Sequence, residues 1–191
     1  MMLRRAFALS VVVALSLGTA LADSSSRPGE TTTSLNGATA TVAFSPEGQG
    51  QALIVHAIDE ANRSVLVQAY GFTNKSILRA LVQAHKRGVN VKIILDKSNK
   101  SRRYSGATYV YNAGIPVWIG YRPAIAHNKV MIIDGKNIIT GSFNFTKSAQ
   151  TRNAENVLLI QNAPELAIAY MSDWEWRKGL SKRYQGVIGT N

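Results

Sequence analysis

The chain has 191 residues, with 22 Lys and Arg against 11 Asp and Glu, so its formal net charge is +11. A balance this basic suits polyanionic partners such as nucleic acid or anionic lipid headgroups. There is no cysteine, which excludes disulfides, thiolate zinc sites and cysteine nucleophiles.

Residues 1–22 read as a signal peptide. Arg4 and Arg5 form a positive n-region, Ala6 to Leu17 is an apolar h-region, and Ala20-Leu21-Ala22 supplies an A-x-A cleavage site. The h-region is too short to span a bilayer comfortably, so export, to the periplasm in a bacterium, is expected, with no stable membrane insertion after cleavage. Cleavage removes two cations and no acid, leaving 20 − 11 = +9. Residues 23–36, rich in Ser, Thr, Gly and Pro, read as a flexible leader. Residues 37–191 are enough for a single domain with a proper core.

Strand and helix then alternate. Ala38 to Phe44 is a strand candidate and Gly48 to Asn62 a helix with Leu53, Ile54, Ala57, Ile58 and Ala61 on one face. Val65 to Tyr70 is the next strand. Asn74 to Arg87 is a helix with Ile77, Leu78, Leu81 and Val82 inward and Gly88 as its stop. Val91 to Leu95 is a short apolar strand, Tyr104 to Asn112 a helix, and Pro116 to Ile119 a brief strand. A hairpin follows, then a strand from Asn156 to Ile160. Pro164 to Trp176 closes the pattern as a helix, with Leu166, Ile168, Tyr170 and Met171 available for packing. The alternation argues an α/β fold, a mixed β-sheet flanked by helices on both faces.

The hairpin reads H-N-K-V-M-I-I-D-G-K-N-I-I-T-G-S-F-N from His127 to Asn144. Strand alternation points His127 and Lys129 the same way, since residues i and i+2 share a face. Asp134-Gly135 is a tight-turn signal, and Asn137 to Thr140 reads as the returning strand. Beyond Gly141, Ser142 and Asn144 share another two-residue spacing. An imidazole, an ammonium, a hydroxyl and an amide are thus aimed at one point, a set suited to holding and attacking a phosphate.

This hairpin resembles the H-x-K-x4-D-x6-G-S-x-N signature of the phospholipase D superfamily, with His127, Lys129, Asp134, Gly141, Ser142 and Asn144 at every specified position. The stretch from about Ala38 to Arg177 is similar to the small secreted bacterial endonucleases of that superfamily, which carry one motif copy. The resemblance implies that Glu155, in N-A-E-N-V, is a further active-site carboxylate that accepts a hydrogen bond from His127, and that cleavage needs no metal or other cofactor. It tips Ser142 and Asn144, otherwise plausible turn residues, toward oxyanion hydrogen bonding.

Asp134 is seven residues from His127, on the opposite side of a regular strand, and reads as support for the hairpin rather than a phosphate contact. Gly141 reads as backbone freedom beside the ligand. Of the other histidines, His56 lies on the polar side of its helix and reads as solvated, while His85 reads as a core or helix-end residue. Lys97, Lys100, Arg102, Arg103 and Tyr104 follow a strand directly. They are candidates for tracking a nucleic-acid backbone, with Tyr104 stacking on a base, or else a solvated loop. Arg122 is a weaker candidate of the same kind.

The chemistry expected is two displacements: His127 attacks phosphorus, and a second acid protonates the departing oxygen. Water then hydrolyses the phosphohistidine. Three readings compete: an endonuclease acting on DNA, with RNA as a secondary candidate, without sequence preference, a phospholipase using the same chemistry on headgroups, and a basic binding protein without catalysis. Because the chain holds one motif copy, a homodimer with one composite active site is expected to supply the second histidine.

Overall fold

The computed structural model describes residues 33, 35–100 and 105–186. The expected signal peptide, most of the leader, and Arg102, Arg103 and Tyr104 lie outside these residues.

Eight strands form one sheet in the order β1-β7-β6-β5-β2-β3-β4-β8. They are β1 (Thr39–Ser45), β2 (Ser64–Ala69), β3 (Asn90–Asp96), β4 (Val117–Gly120), β5 (Lys129–Ile133), β6 (Asn137–Gly141), β7 (Glu155–Gln161) and β8 (Ser181–Arg183). The central β2, β3 and β4 are parallel, and the remaining neighbours pair antiparallel. The parallel trio follows from the helical crossovers, and the hairpin reverses the direction. The sheet is therefore mixed, as its element order predicts.

The helices are α1 (Gly50–Asp59), α2 (Lys75–Lys86), α3 (Gly106–Asn112), α4 (Lys147–Thr151) and α5 (Pro164–Gly179). Helix α2 shows why this sequence is helical. Asn74 caps it by accepting from the N–H groups of Ser76 and Ile77, and Ile77, Leu78, Ala80, Leu81, Val82 and Ala84 are all buried. Each large apolar side chain so buried contributes about 1.5–3 kcal/mol. The main core joins α1, α2 and α3 to one sheet face. A smaller core packs α5 on the other through Trp174, Ala167, Ile132 and Ile138.

Several expectations need correction. Helix α5 turns Ile168 outward, 58% exposed, and buries Ala167 and Trp174 instead. Its last turns extend to Gly179 and lead into β8, which carries no hydrophobic alternation and was not foreseen. Helix α4 was not foreseen either: its five residues K-S-A-Q-T bury one side chain, Ala149. Helix α3 begins at Gly106, because the Ser105 hydroxyl caps it by accepting from the Thr108 N–H. Among the described residues, no helix is long and apolar enough to cross a membrane.

Candidate active site

The motif hairpin packs at the centre of the sheet, β5 beside β2 and β6 beside β7. Its turn is built by Asp134 and Gly135, both at positive φ (55° and 67°), the sign pair of a type I′ turn. The Asp134 carboxylate accepts from the backbone N–H groups of Asn62, Arg63 and Ser64, and Arg63 donates to its carbonyl. Burial pushes the carboxyl up, but those N–H groups and the Arg63 charge outweigh it and hold it below its ordinary value. Asp134 thus ties the hairpin tip to the start of β2, away from the reacting groups.

At the opposite end, His127 is solvent-exposed and precedes β5 rather than lying in it, since the strand begins at Lys129. What aims the imidazole is therefore not strand alternation but its neighbours. The Ala126 N–H donates 2.7 Å to Asp96 Oδ2, while Asp96 Oδ1 accepts from Ser98 N. Burial raises the Asp96 carboxyl, and the bonds from Ala126 and Ser98 with the Lys97 charge bring it below its ordinary value. The Tyr70 ring lies 4.7 Å from the His127 ring at 56°. Tyr70 is itself fixed, donating its N–H to the Asn128 carbonyl and accepting at its own carbonyl from Asn99 Nδ2.

Lys129 is only 8% exposed. Its Nζ donates to the His127 carbonyl at 2.8 Å and lies 3.0 Å from His127 Nδ1. With a charged lysine as donor, Nδ1 is the acceptor and the ring proton sits on Nε2. Burial lowers the Lys129 ammonium below its ordinary value, and the Glu155 carboxylate offsets part of that. The hydrogen bond that the resemblance implied between Glu155 and His127 is not formed. Glu155 instead accepts from Asn153 Nδ2, and Lys129 holds the imidazole nitrogen that Glu155 would have met.

Asn144 accepts at Oδ1 from the Gly71 N–H at 3.4 Å, which leaves its amide hydrogens directed elsewhere. That approach requires glycine: a Cβ on Gly71 would lie 2.8 Å from Thr146 Cγ2 and 3.2 Å from Asn144 Cβ. Ser142 Oγ accepts from the Asn156 N–H, so its own proton remains available to donate. Gly141 has φ 141°, and a side chain there would run into the Asn156 carbonyl.

Of the basic candidates, Lys97, Lys100 and Arg122 are all exposed. Lys100 Nζ sits 5.6 Å from the Tyr121 ring centre, and Lys182 of β8 shares that ring at 5.7 Å. The sequence did not single out Tyr70, Gly71, Asp96, Asn99, Tyr121 or Lys182. Tyr70-Gly71 does stand at the C-terminal end of a predicted strand, where α/β sheets bind ligands, and that signal could have found the pair.

The arrangement can hold an anion between an ammonium, an amide and a hydroxyl, beside an accessible imidazole. Residues 54–176 match the family described as cardiolipin synthase, PLD-like domain. The phospholipase D of Rickettsia prowazekii is 47% identical over 138 residues, which is 72% of this chain and 67% of that one. The mitochondrial cardiolipin hydrolase of Chlamydomonas reinhardtii is 31% identical over 118 residues, 62% of this chain and 52% of that one. Among solved structures, Nuc from Salmonella typhimurium, a phospholipase D family member, superposes with a TM-score of 0.75 at 41% identity. It covers 78% of this chain and 99% of its own. NucT from Helicobacter pylori gives 0.68 at 25% identity, covering 77% and 99%.

Proposed function

The chain belongs to the phospholipase D superfamily and is a hydrolase of phosphoric diesters; from that premise we propose that its substrate is nucleic acid, DNA and RNA alike, cut internally and without sequence preference. The observation that carries this reading is uncompensated charge. Among the described residues the ion pairs are Arg177–Asp173 and Lys178–Glu175, both within α5. Lys100, Arg122 and Lys182, around the strand ends that lead to His127, form no ion pair with a carboxylate among the described residues, and Lys97 has only the charge of Asp96 beside it. A polyanion neutralises such a surface, and releases its own counterions in doing so.

In this reading His127 attacks phosphorus through Nε2, forming an N–P bond as the P–O bond to the leaving sugar breaks. Lys129 and Asn144 hold the non-bridging oxygens, and Ser142 donates its hydroxyl proton to one of them. An arriving phosphate draws the Lys129 ammonium off His127 Nδ1. That nitrogen then carries the proton, with Glu155 the nearby carboxylate to receive it, and Nε2 is free to attack. The leaving oxygen takes a proton from a second imidazole, which then activates the water that hydrolyses the phosphohistidine. No step requires a metal-bound hydroxide. Lys97, Lys100, Arg102, Arg103, Tyr104 and Arg122 are the candidates for holding the strand on either side. Export to the periplasm would place the enzyme among extracellular nucleic acids.

The second imidazole comes from a second copy of the chain. Val42 and Phe44 on edge strand β1 are 53% and 62% exposed, and they lie opposite Leu158 and Asn156 of β7. These exposed apolar side chains, and Ile125 (53% exposed) two residues before His127, support a twofold contact next to the site. A dimer of one wild-type and one His127→Ala chain, isolated by two tags, should be almost inactive. Retention of about half the activity would mean independent sites.

The name of the Rickettsia relatives favours a second reading, the same chemistry on phospholipid headgroups. One experiment separates the two: mature protein is incubated in EDTA with plasmid DNA and with labelled phosphatidylcholine. Nicking and fragmentation of the plasmid without headgroup release is the expected result. Headgroup release alone would install the lipid reading, and strict dependence on added magnesium would sink the phosphohistidine mechanism.

A further inference from the structure

Two adjoining cavities, about 350 and 420 Å³, open where α2, α3 and α4 meet, and Thr73 and Lys75 line both. The first is walled by Lys75, Arg79, Ser105 and Tyr109, and the second reaches Lys147. Among the described residues, no Asp or Glu lines either. Lys75 and Arg79 are exposed and stand four residues apart on one face of α2, a helix of twelve residues without a single carboxylate. Like charges at that spacing destabilise a helix, so folding alone does not account for the pair. Tyr109, 46% exposed, presents its ring beside them.

The segment that lines the cleft is tied to the reacting centre by hydrogen bonds. Thr73 N–H donates to the carbonyl of Phe145, the residue after Asn144, and Gly71 two residues earlier donates to the Asn144 side chain. We propose that this cleft is a single-strand binding channel that receives the nucleic acid on the Asn144 side of the scissile phosphate. Lys75 and Arg79 take successive backbone phosphates, Lys147 faces the strand from the second cavity, and a base stacks on Tyr109. The volumes fit a nucleotide-sized group, since pockets for small ligands run roughly 300–1,000 Å³. A base stacked on Tyr109 must be free of its own partner, so the channel favours strands that are already open.

This proposal rests on the nucleic-acid reading, and its test keeps the two apart. Binding of a fluorescent single-stranded 12-mer and of the matching duplex is measured on the full-length His127→Ala protein across a range of salt. Adding Lys75→Ala and Arg79→Ala together should flatten the single-strand log–log slope by about 1.4, at about 0.7 for each phosphate no longer neutralised. Tyr109→Ala should weaken single-strand binding about tenfold, with duplex binding changed much less. The pair Lys75→Arg and Arg79→Lys should keep the parent slope, which separates the loss of charge from a damaged helix. An unchanged slope in the double Ala variant, or equal losses on both nucleic acids after Tyr109→Ala, would overturn the channel. If the parent binds neither nucleic acid while the active enzyme releases headgroups from phosphatidylcholine vesicles, the nucleic-acid reading fails and the channel with it.

Discussion

At the turn end of the β5–β6 hairpin Asp134 is 8% exposed, and at the open end Lys129 is also 8% exposed. Both are charged, and they stand only five positions apart. Asp134 is answered by three backbone N–H groups, so its charged form is favoured. Lys129 meets only the carbonyl and ring nitrogen of His127 at hydrogen-bonding distance, and burial lowers its pKa. The first charge is consumed in holding two elements together. The second is held under strain of desolvation, with protons that a phosphate oxygen can take over. The same degree of burial therefore serves stability at one end and chemistry at the other.

Exchanging the two charges for neutral groups should break the hairpin's symmetry in opposite ways. Lys129→Met should cost about a hundredfold to a thousandfold in turnover, as expected for removing a preorganised group from developing charge. Its thermal midpoint should hold or rise, because a buried ammonium that Glu155 only partly compensates is gone. A midpoint falling by more than a few degrees, with turnover preserved, would reverse the assignment of the two ends.

Asp134→Ala should do the converse. Three backbone donors lose their acceptor, and the loss of stability in urea should be about 3 kcal/mol. Turnover per folded molecule should change less than threefold. A variant that is fully stable yet inactive would place Asp134 among the reacting groups.

The pH dependence gives the smallest effects. The Asp134 and Asp96 carboxyls lie below their ordinary value of 3.8 when folded, so their stabilisation is complete above that pH. It is lost as pH falls through the lowered folded values. Asp134→Asn should be less stable at neutral pH and should lose less on acidification. Lys129 runs the other way. Its folded pKa is below 10.5, so the unfolded chain binds more protons between the two values and stability gains as pH rises through that window. Urea denaturation of wild type and Lys129→Met from pH 8 to 10.5 should show this gain in wild type only. Equal slopes would mean that the buried ammonium is not desolvated.

Much of the hairpin was legible because its information is local. Six specified residues within eighteen positions fix two strands, a turn and the order of the polar groups, and the Asp-Gly turn chemistry needs no distant partner. Helices α1 and α2 were equally plain, since a 3.6-residue period reports which face is buried whatever covers it, whereas the period of α5 misplaced Ile168. The short elements were not. Helix α4 buries one side chain, and β8 is held by pairing with β4 rather than by any pattern of its own.

The sequence by itself determined the α/β class, the element order, the family motif and the excess of positive charge. These follow from local periodicity, fixed spacing and composition. Only the tertiary structure decided what surrounds the imidazole. The pairing of Ala69 with Lys129 brings Tyr70 and Gly71 beside residues 127–144, and the hydrogen bond from Ala126 brings Asp96 there across thirty positions. It also decided that His127 Nδ1 meets Lys129 rather than Glu155. Strand order and register depend on which distant surfaces bury best together, and a period of two is the same for every possible partner.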